Sequence, residues 1–168
     1  DQDDLLITTL KGQCIRFRVS DVRLFVGRSS TGVRGIRLAK GDRVISSAII
    51  KSMSATTEER AAYLKMSRAV RGDIESDNDE NEENNEDITP AILSDEKYAE
   101  MGASEQFILS ISNNGYGKRT STFEYRVTGR GGKGIIAMVV NDRNGNIADS
   151  FPVDAANQII LVLSLIHI

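Results

Sequence analysis

Between Thr128 and Ile135 the chain reads TGRGGKGI, which places Gly129, Gly131 and Gly134 at the Gly-x-Gly-x-x-Gly spacing with Arg130 and Lys133 among them. In a dinucleotide-binding fold such glycines let a turn pass close to a pyrophosphate, and the helix that follows holds the anion at its N-terminus. The residues after Gly134 do not provide that helix. Ile135 to Val140 is continuously apolar and rich in β-branched side chains, and Asn144-Gly145 follows as a hairpin turn, so a strand is predicted there. A Walker A loop fails as well: Gly134 follows Lys133 where Ser or Thr must hold magnesium, and Val127 stands where the first glycine belongs. What remains is a turn of permissive backbone with two cations, and Lys118, Arg119 and Arg126 stand a short way upstream.

Other catalytic chemistry is scarce. The single histidine, His167, and the single cysteine, Cys14, cannot build a zinc site or a Cys/His or Ser/His pair. Cys14 lies in an alternating run and reads as a small buried residue, and one unpaired cysteine suits a reducing cytoplasm. No apolar run approaches the ~18 to 20 residues of a membrane span, and no signal peptide is expected at the start. We therefore expect no metal, no cofactor and no membrane. The net charge of −3 hides an asymmetry: residues 5–50 hold nine Lys and Arg against two acids, while residues 51–104 hold six against fourteen. Such a division points to a polyanionic partner, or to two segments that neutralise each other.

The elements that must position these cations carry β signals. Leu5 to Thr8, Cys14 to Val19, Val33 to Leu38 and Val44 to Ile49 read as strands, with turns at Lys11-Gly12 and Lys40-Gly41-Asp42. In Cys14 to Val19 apolar residues alternate with Arg16 and Arg18, the pattern of a strand with one wet face. Phe107 to Ile111, Phe123 to Val127, Ile135 to Val140 and Ile147 to Val153 repeat the scheme, with turns at Asn113-Asn114-Gly115 and Asn144-Gly145. At an offset of about a hundred, Gly27-Arg28-Ser29-Ser30-Thr31-Gly32-Val33 meets Gly129-Arg130-Gly131-Gly132-Lys133-Gly134-Ile135. Repetition of a four-stranded unit predicts propeller-like antiparallel blades: one at 1–50, a second at 105–156, and the start of a third at 157–168. Residues 51–104 read as an insertion. Thr56-Thr57-Glu58-Glu59 resembles a capping box opening an amphipathic helix that ends near Arg71-Gly72, residues 73–87 carry nine acids and are expected to be disordered, and a short helix spans about Ser94 to Met101.

In a radial array, equivalent loops share one rim. Arg28, Arg34 and Arg37 of the first copy would then join Lys118, Arg119, Arg126, Arg130 and Lys133 of the second as a curved positive stripe, with Gly27, Gly32, Gly129, Gly131, Gly132 and Gly134 shaping the turns. Cations without interleaved aromatic stacking residues suit duplex phosphate better than single strands or base edges. Each of them singly is equally compatible with an ordinary solvated loop.

The stretches GRSSTGVRGIRLAKGDRVIS, SNNGYGKRTSTFEYRVTGRGGKGI and NDRNGNIADSFPVDAANQI resemble the C-terminal domain family of the DNA gyrase A protein, in an alphaproteobacterial form. The resemblance implies a partial β-pinwheel, all-β apart from the helical and disordered insertion, whose basic perimeter wraps duplex DNA. It also implies a parent type II topoisomerase, built from two gyrase A chains and the gyrase B protein, that introduces negative supercoils with ATP and magnesium held on gyrase B. The family's hallmark box is Gln-Arg-Arg-Gly-Gly-Lys-Gly; Arg130, Gly131, Gly132, Lys133 and Gly134 match its last five positions, while Thr128 and Gly129 replace Gln and Arg. The loop is thus expected to be a partial copy that touches phosphate without the box's role in closing the wrap. The DNA-cleaving domain is expected upstream, since none of Tyr63, Tyr98, Tyr116 or Tyr125 stands in the catalytic tyrosine motif. The ending LSLIHI departs from the family pattern, so His167 is given no functional weight. The competing readings are the C-terminal domain of the equivalent topoisomerase IV chain and a propeller-like protein-interaction module whose basic face meets an acidic partner, its own residues 73–87 included.

Overall fold

The computed structural model describes residues 2–71 and 93–160. The acidic run at 73–87 and the ending that contains His167 lie outside the described residues. Strand β1 (Asp4–Thr9) returns as β2 (Gln13–Arg18) through a tight turn at Gly12, whose φ of +86° suits glycine, and β3 (Val44–Ile50) pairs with the other edge of β1. Helices α1 (Thr57–Arg71) and α2 (Asp95–Ser104) follow. The second copy supplies β4 (Phe107–Ser112), β5 (Gly117–Ser121), β6 (Ile135–Ile136) and β7 (Ile147–Val153). The sheet orders are β3-β1-β2-β6 and β5-β4-β7, antiparallel throughout.

The two copies correspond in detail. The central strands β1 and β4 start 103 residues apart, at Asp4 and Phe107, and each shifts register one residue before its end, at Thr8/Thr9 and Ile111/Ser112. The second strand of each copy runs into a 3-10 turn, Val19–Asp21 in one and Thr122–Glu124 in the other. The sheets are nevertheless not filled from consecutive chain. Strand β6 of the second copy completes the first sheet, with Gln13 opposite Ile136 and Cys14 opposite Ile135. Upstream of it Thr128 N donates to Arg16 O at 2.8 Å, and downstream Ala137 N donates to Gly12 O at 2.8 Å. The outer edge of β2 is thereby covered by chain more than a hundred residues away, and one strand crosses the expected division between units at 1–50 and 105–156.

Four expectations need correction. Val33 to Leu38 is not a strand: its counterpart β6 pairs with β2, whereas this segment lies across the face of its own sheet, where Ile36 packs on Ile15 and Phe17 with Leu5, Ile7 and Val22. Phe123 to Val127 is the 3-10 turn followed by a single bridge from Val127 to Arg16, and the predicted strand at Ile135 to Val140 is only two residues long. The strand β5 went unpredicted because its inward residues, Thr120 and Ser121, are small and polar, so no apolar alternation marks it. Arg16 is not on a wet face: it is 5% exposed and bound to Asp4, which is fully buried.

Leu6, Cys14, Ile50, Ile108, Tyr125 and Ala137 form a core shared by both sheets. Burial pushes the Cys14 thiol up to about 12 and the Tyr125 phenol higher than usual as well, so both sit in the core as neutral groups. A separate apolar cluster, Tyr63, Met101 and Phe123 with Met53, Leu64 and Tyr98 at its margin, fastens both helices to the second sheet. Helix α1 begins with a capping box: Thr56 Oγ1 accepts from Glu59 N at 3.2 Å, and Glu59 Oε2 accepts from Thr56 N at 2.7 Å.

Candidate nucleic-acid interface

The glycine loop owes its shape to contact with the first copy. Gly131 and Gly134 have φ of +82° and +79°, and a β-carbon on Gly134 would run into the carbonyl of Cys14. Gly131 N donates to Gly35 O at 2.5 Å, and Gly132 O accepts from Arg37 N at 2.7 Å. Arg130 extends the stitching with its side chain, Nε donating to Asp21 O at 3.0 Å and Nη1 to Arg34 O at 3.3 Å. Around Gly129, by contrast, a β-carbon would meet open space. The spacing that suggested a phosphate cradle thus serves a backbone seam between residues 34–37 and 130–132.

That seam brings Arg34, Arg37, Arg130 and Lys133 onto one exposed surface. Arg126 and Lys133 line one shallow cleft with Thr128 and the backbone of β2, which adds a fifth cation. The acceptors that hold Arg130 are backbone carbonyls, and the four salt bridges among the described residues use none of Arg34, Arg37, Arg130 or Lys133. None of these four cations is paired with a carboxylate among the described residues. Two of the five donors of Arg130 fix the loop, and its side chain stays exposed.

The remaining predicted cations sit elsewhere. Arg28 is exposed on the loop that contains Gly27 and Gly32, and no described interaction ties it to the seam. Lys118 and Arg119 are on β5, where the Arg119 guanidinium lies 4.8 Å from the centre of the Phe107 ring beside Arg71 of α1. Four further arginines are not apparent from sequence. Arg16 is hidden by its regular alternation, while Arg60, Arg68 and Arg71 lie in a segment that is acidic on average; their signal is helical phase, at three, five and eight residues from Tyr63. Among the described residues no group of three or more His, Cys, Asp or Glu side chains is arranged to hold a metal ion, and no helix is long and apolar enough to cross a membrane.

Two antiparallel sheets with one strand plan, joined by an exchanged strand and carrying a cationic loop surface, define a bladed, propeller-like β protein. The family described as DNA gyrase C-terminal domain, beta-propeller, matches residues 3–51 and 106–154, and the chain belongs to that family. The DNA gyrase A protein of Granulibacter bethesdensis is 39% identical over 170 residues, covering 95% of this chain, and that of Rickettsia bellii is 41% identical over 162 residues, covering 96%. The Escherichia coli gyrase A protein is 30% identical over 161 residues, again covering 96%. The chain spans 18% of the length of the first two relatives and 12% of the third. Among solved structures, a DNA gyrase A C-terminal domain aligns with a TM-score of 0.50 at 18% identity, over 91% of this chain and 32% of that one. The C-terminal domain of DNA topoisomerase IV aligns at 0.54 and 16%, with the same two coverages. At those identities the likeness concerns the fold alone.

Proposed function

We propose that this chain is a DNA-wrapping module of a DNA gyrase A protein, and that it binds duplex DNA through backbone phosphates. The observation that carries the reading is the seam between residues 34–37 and 130–132, which gathers Arg34, Arg37, Arg130 and Lys133 without pairing them to acids. Smoothly bending a site of 20 to 30 base pairs costs roughly 1 to 6 kcal/mol, so wrapping requires many phosphate contacts acting together. The loops of repeated blades supply such a set. In this reading the module itself is not catalytic and needs no cofactor. The parent, assembled in the cytoplasm from two gyrase A chains with gyrase B, uses ATP and magnesium on gyrase B to drive negative supercoiling.

Replacing Arg37 and Lys133 with alanine tests the proposal while leaving the Arg130 stitching intact. Each lost phosphate contact flattens the dependence of log K on log salt by about 0.9, so the double variant should lose roughly one to two units of slope and bind all duplex sequences more weakly alike. An unchanged slope removes this surface from the interface. Chiral wrapping of relaxed circular DNA by the intact parent protein would favour gyrase over topoisomerase IV.

A further inference from the structure

Helix α1 lies in the stretch between the two matched segments, outside the blades that the family shares. It is held firmly on the second sheet. The buried Tyr63 ring meets Phe123 edge-on at 5.2 Å, its hydroxyl donates to Glu105 Oε2 at 3.0 Å, and Ser67, one turn on, is buried too. Burial, and then the neighbouring Glu105 carboxylate, push that phenol up to about 12 and keep it a donor. The phase of α1 is therefore set, and with it the directions of three arginines.

Arg68 and Arg71 leave the last turn and line a cleft of about 110 Å³ with Arg119, Ser67, Ser121 and Glu124. Arg71 and Arg119 both lie against the Phe107 ring, 5.0 and 4.8 Å from its centre. Arg71 places Nη2 alone on Glu105, at 2.6 Å, whereas Arg68 reaches Glu124 only at 3.5 Å, with side chains 52% and 32% exposed. Ser121 Oγ accepts from Phe123 N, which leaves its proton to donate. Three guanidiniums line the cleft with one carboxylate, Glu124, while Glu105 outside it takes both Tyr63 and Arg71 on Oε2 and keeps Oε1 buried without a partner. At the other end of the helix Arg60 is half-buried with its Nε unpaired, and burial followed by repulsion from Arg16 and Arg126 disfavours its charged form. Helix α1 thus carries Arg60 in its first turn and Arg68 and Arg71 in its last, where they lie beside Arg119. Arg60 and Arg71 are eleven residues apart, about 16 Å along the axis, or roughly five base-pair steps.

We propose that α1 adds a second phosphate site to this protein: Arg68, Arg71 and Arg119 hold a phosphodiester of the duplex that leaves the loop cluster, with Arg68 exchanging Glu124 for the phosphate. The proposal rests on the reading that the chain binds duplex DNA. A phosphate accepts charge-assisted hydrogen bonds from several guanidiniums at once, which the loose Arg68 to Glu124 pair does not match.

The test is duplex binding across a salt series with variants of the full chain. Arg68→Ala with Arg119→Ala should lower the slope of log K against log salt by roughly one to two units, and Arg68→Lys should retain the slope. Glu124→Gln, which frees Arg68 from its acid, should tighten binding at low salt, an effect a purely structural role would not produce. If the arginine double variant and Glu124→Gln both leave binding unchanged while Arg37→Ala with Lys133→Ala weakens it, the site on α1 is refuted and the wrapping function stands. If none of the variants alters binding, the wrapping reading itself fails.

Discussion

Replacing Asp4 with alanine should be the most damaging single change outside the apolar cores. Asp4 is fully buried and Arg16 is 5% exposed; Asp4 Oδ2 accepts from Arg16 Nε and lies 2.8 Å from Nη2 as well. Arg16 Nη1 then donates to Thr122 O at 2.7 Å, so the pair ties the first sheet to the turn of the second copy. Removing the acid leaves a buried guanidinium with backbone carbonyls alone, a class of change that costs about 3 to 5 kcal/mol. The retained carbonyl bond places the expected loss near the lower end, about 3 kcal/mol, which is a large share of a domain stability of about 5 to 15 kcal/mol. Urea unfolding followed by circular dichroism would read this as a lowered midpoint. Because the pair joins the two copies, the transition should also broaden as they uncouple. Asp4 Oδ1 is itself buried without a partner, so replacing both residues, Asp4→Leu with Arg16→Met, should recover most of the loss. An Asp4→Ala stability within about 1 kcal/mol of the parent would show that the pair does not hold the copies together.

The glycines of the loop should separate sharply: Gly134→Ala, with φ of +79° and a carbonyl in the way, should cost about 2 kcal/mol or more, while Gly129→Ala should fall within about 0.5 kcal/mol, both read by thermal melting. Cys14 should resist a thiol reagent at pH 8 and react fully once urea unfolds the chain. Its folded value of about 12 lies above the unfolded one, so its contribution to stability is fully present below about pH 8.5 and lost as pH rises from there through 12. Raised values for Tyr63 and Tyr125 act in the same direction, and urea midpoints taken from about pH 8 to 11 should fall. Thr56→Ala removes one half of the capping box and should destabilise α1 by about 1 kcal/mol, read as lost helical signal on mild heating.

Much of this fold is written in local pattern. Apolar runs between turn residues mark β1, β3, β4 and β7, alternation marks β2, and the turns at Gly12, Gly41, Gly115 and Gly145 all have the positive φ that their neighbouring residues suggest. What stays illegible depends on distant partners. Val33-Arg34 and Ile135-Ile136 occupy equivalent places in the repeat, yet only the second pair has a strand edge to join among the described residues. Arg16 alternates like a surface residue and becomes a core residue only because Thr122 and Tyr125 cover it. The candidate site divides in the same way. The repeat points to Arg34, Arg37, Arg130 and Lys133, but the hydrogen bonds that join them cross about a hundred residues, and the phase that aims Arg68 at Arg119 is invisible without the sheet beneath α1.

The exchanged strand also has a consequence in time. As the chain leaves the ribosome, β1 and β2 can form a hairpin early, but the edge of β2 stays uncovered until Ile135 and Ile136 emerge. At roughly 5 to 20 residues per second that delay is about 6 to 25 s, and the stretch containing α1 and α2 accounts for nearly half of it. Throughout that interval a bare strand edge is available to any other nascent chain. Arg18, exposed at the end of β2, leaves the waiting strand a charge that discourages such pairing, and the late arrival of the second copy then covers Arg16, which Asp4 holds across the hairpin.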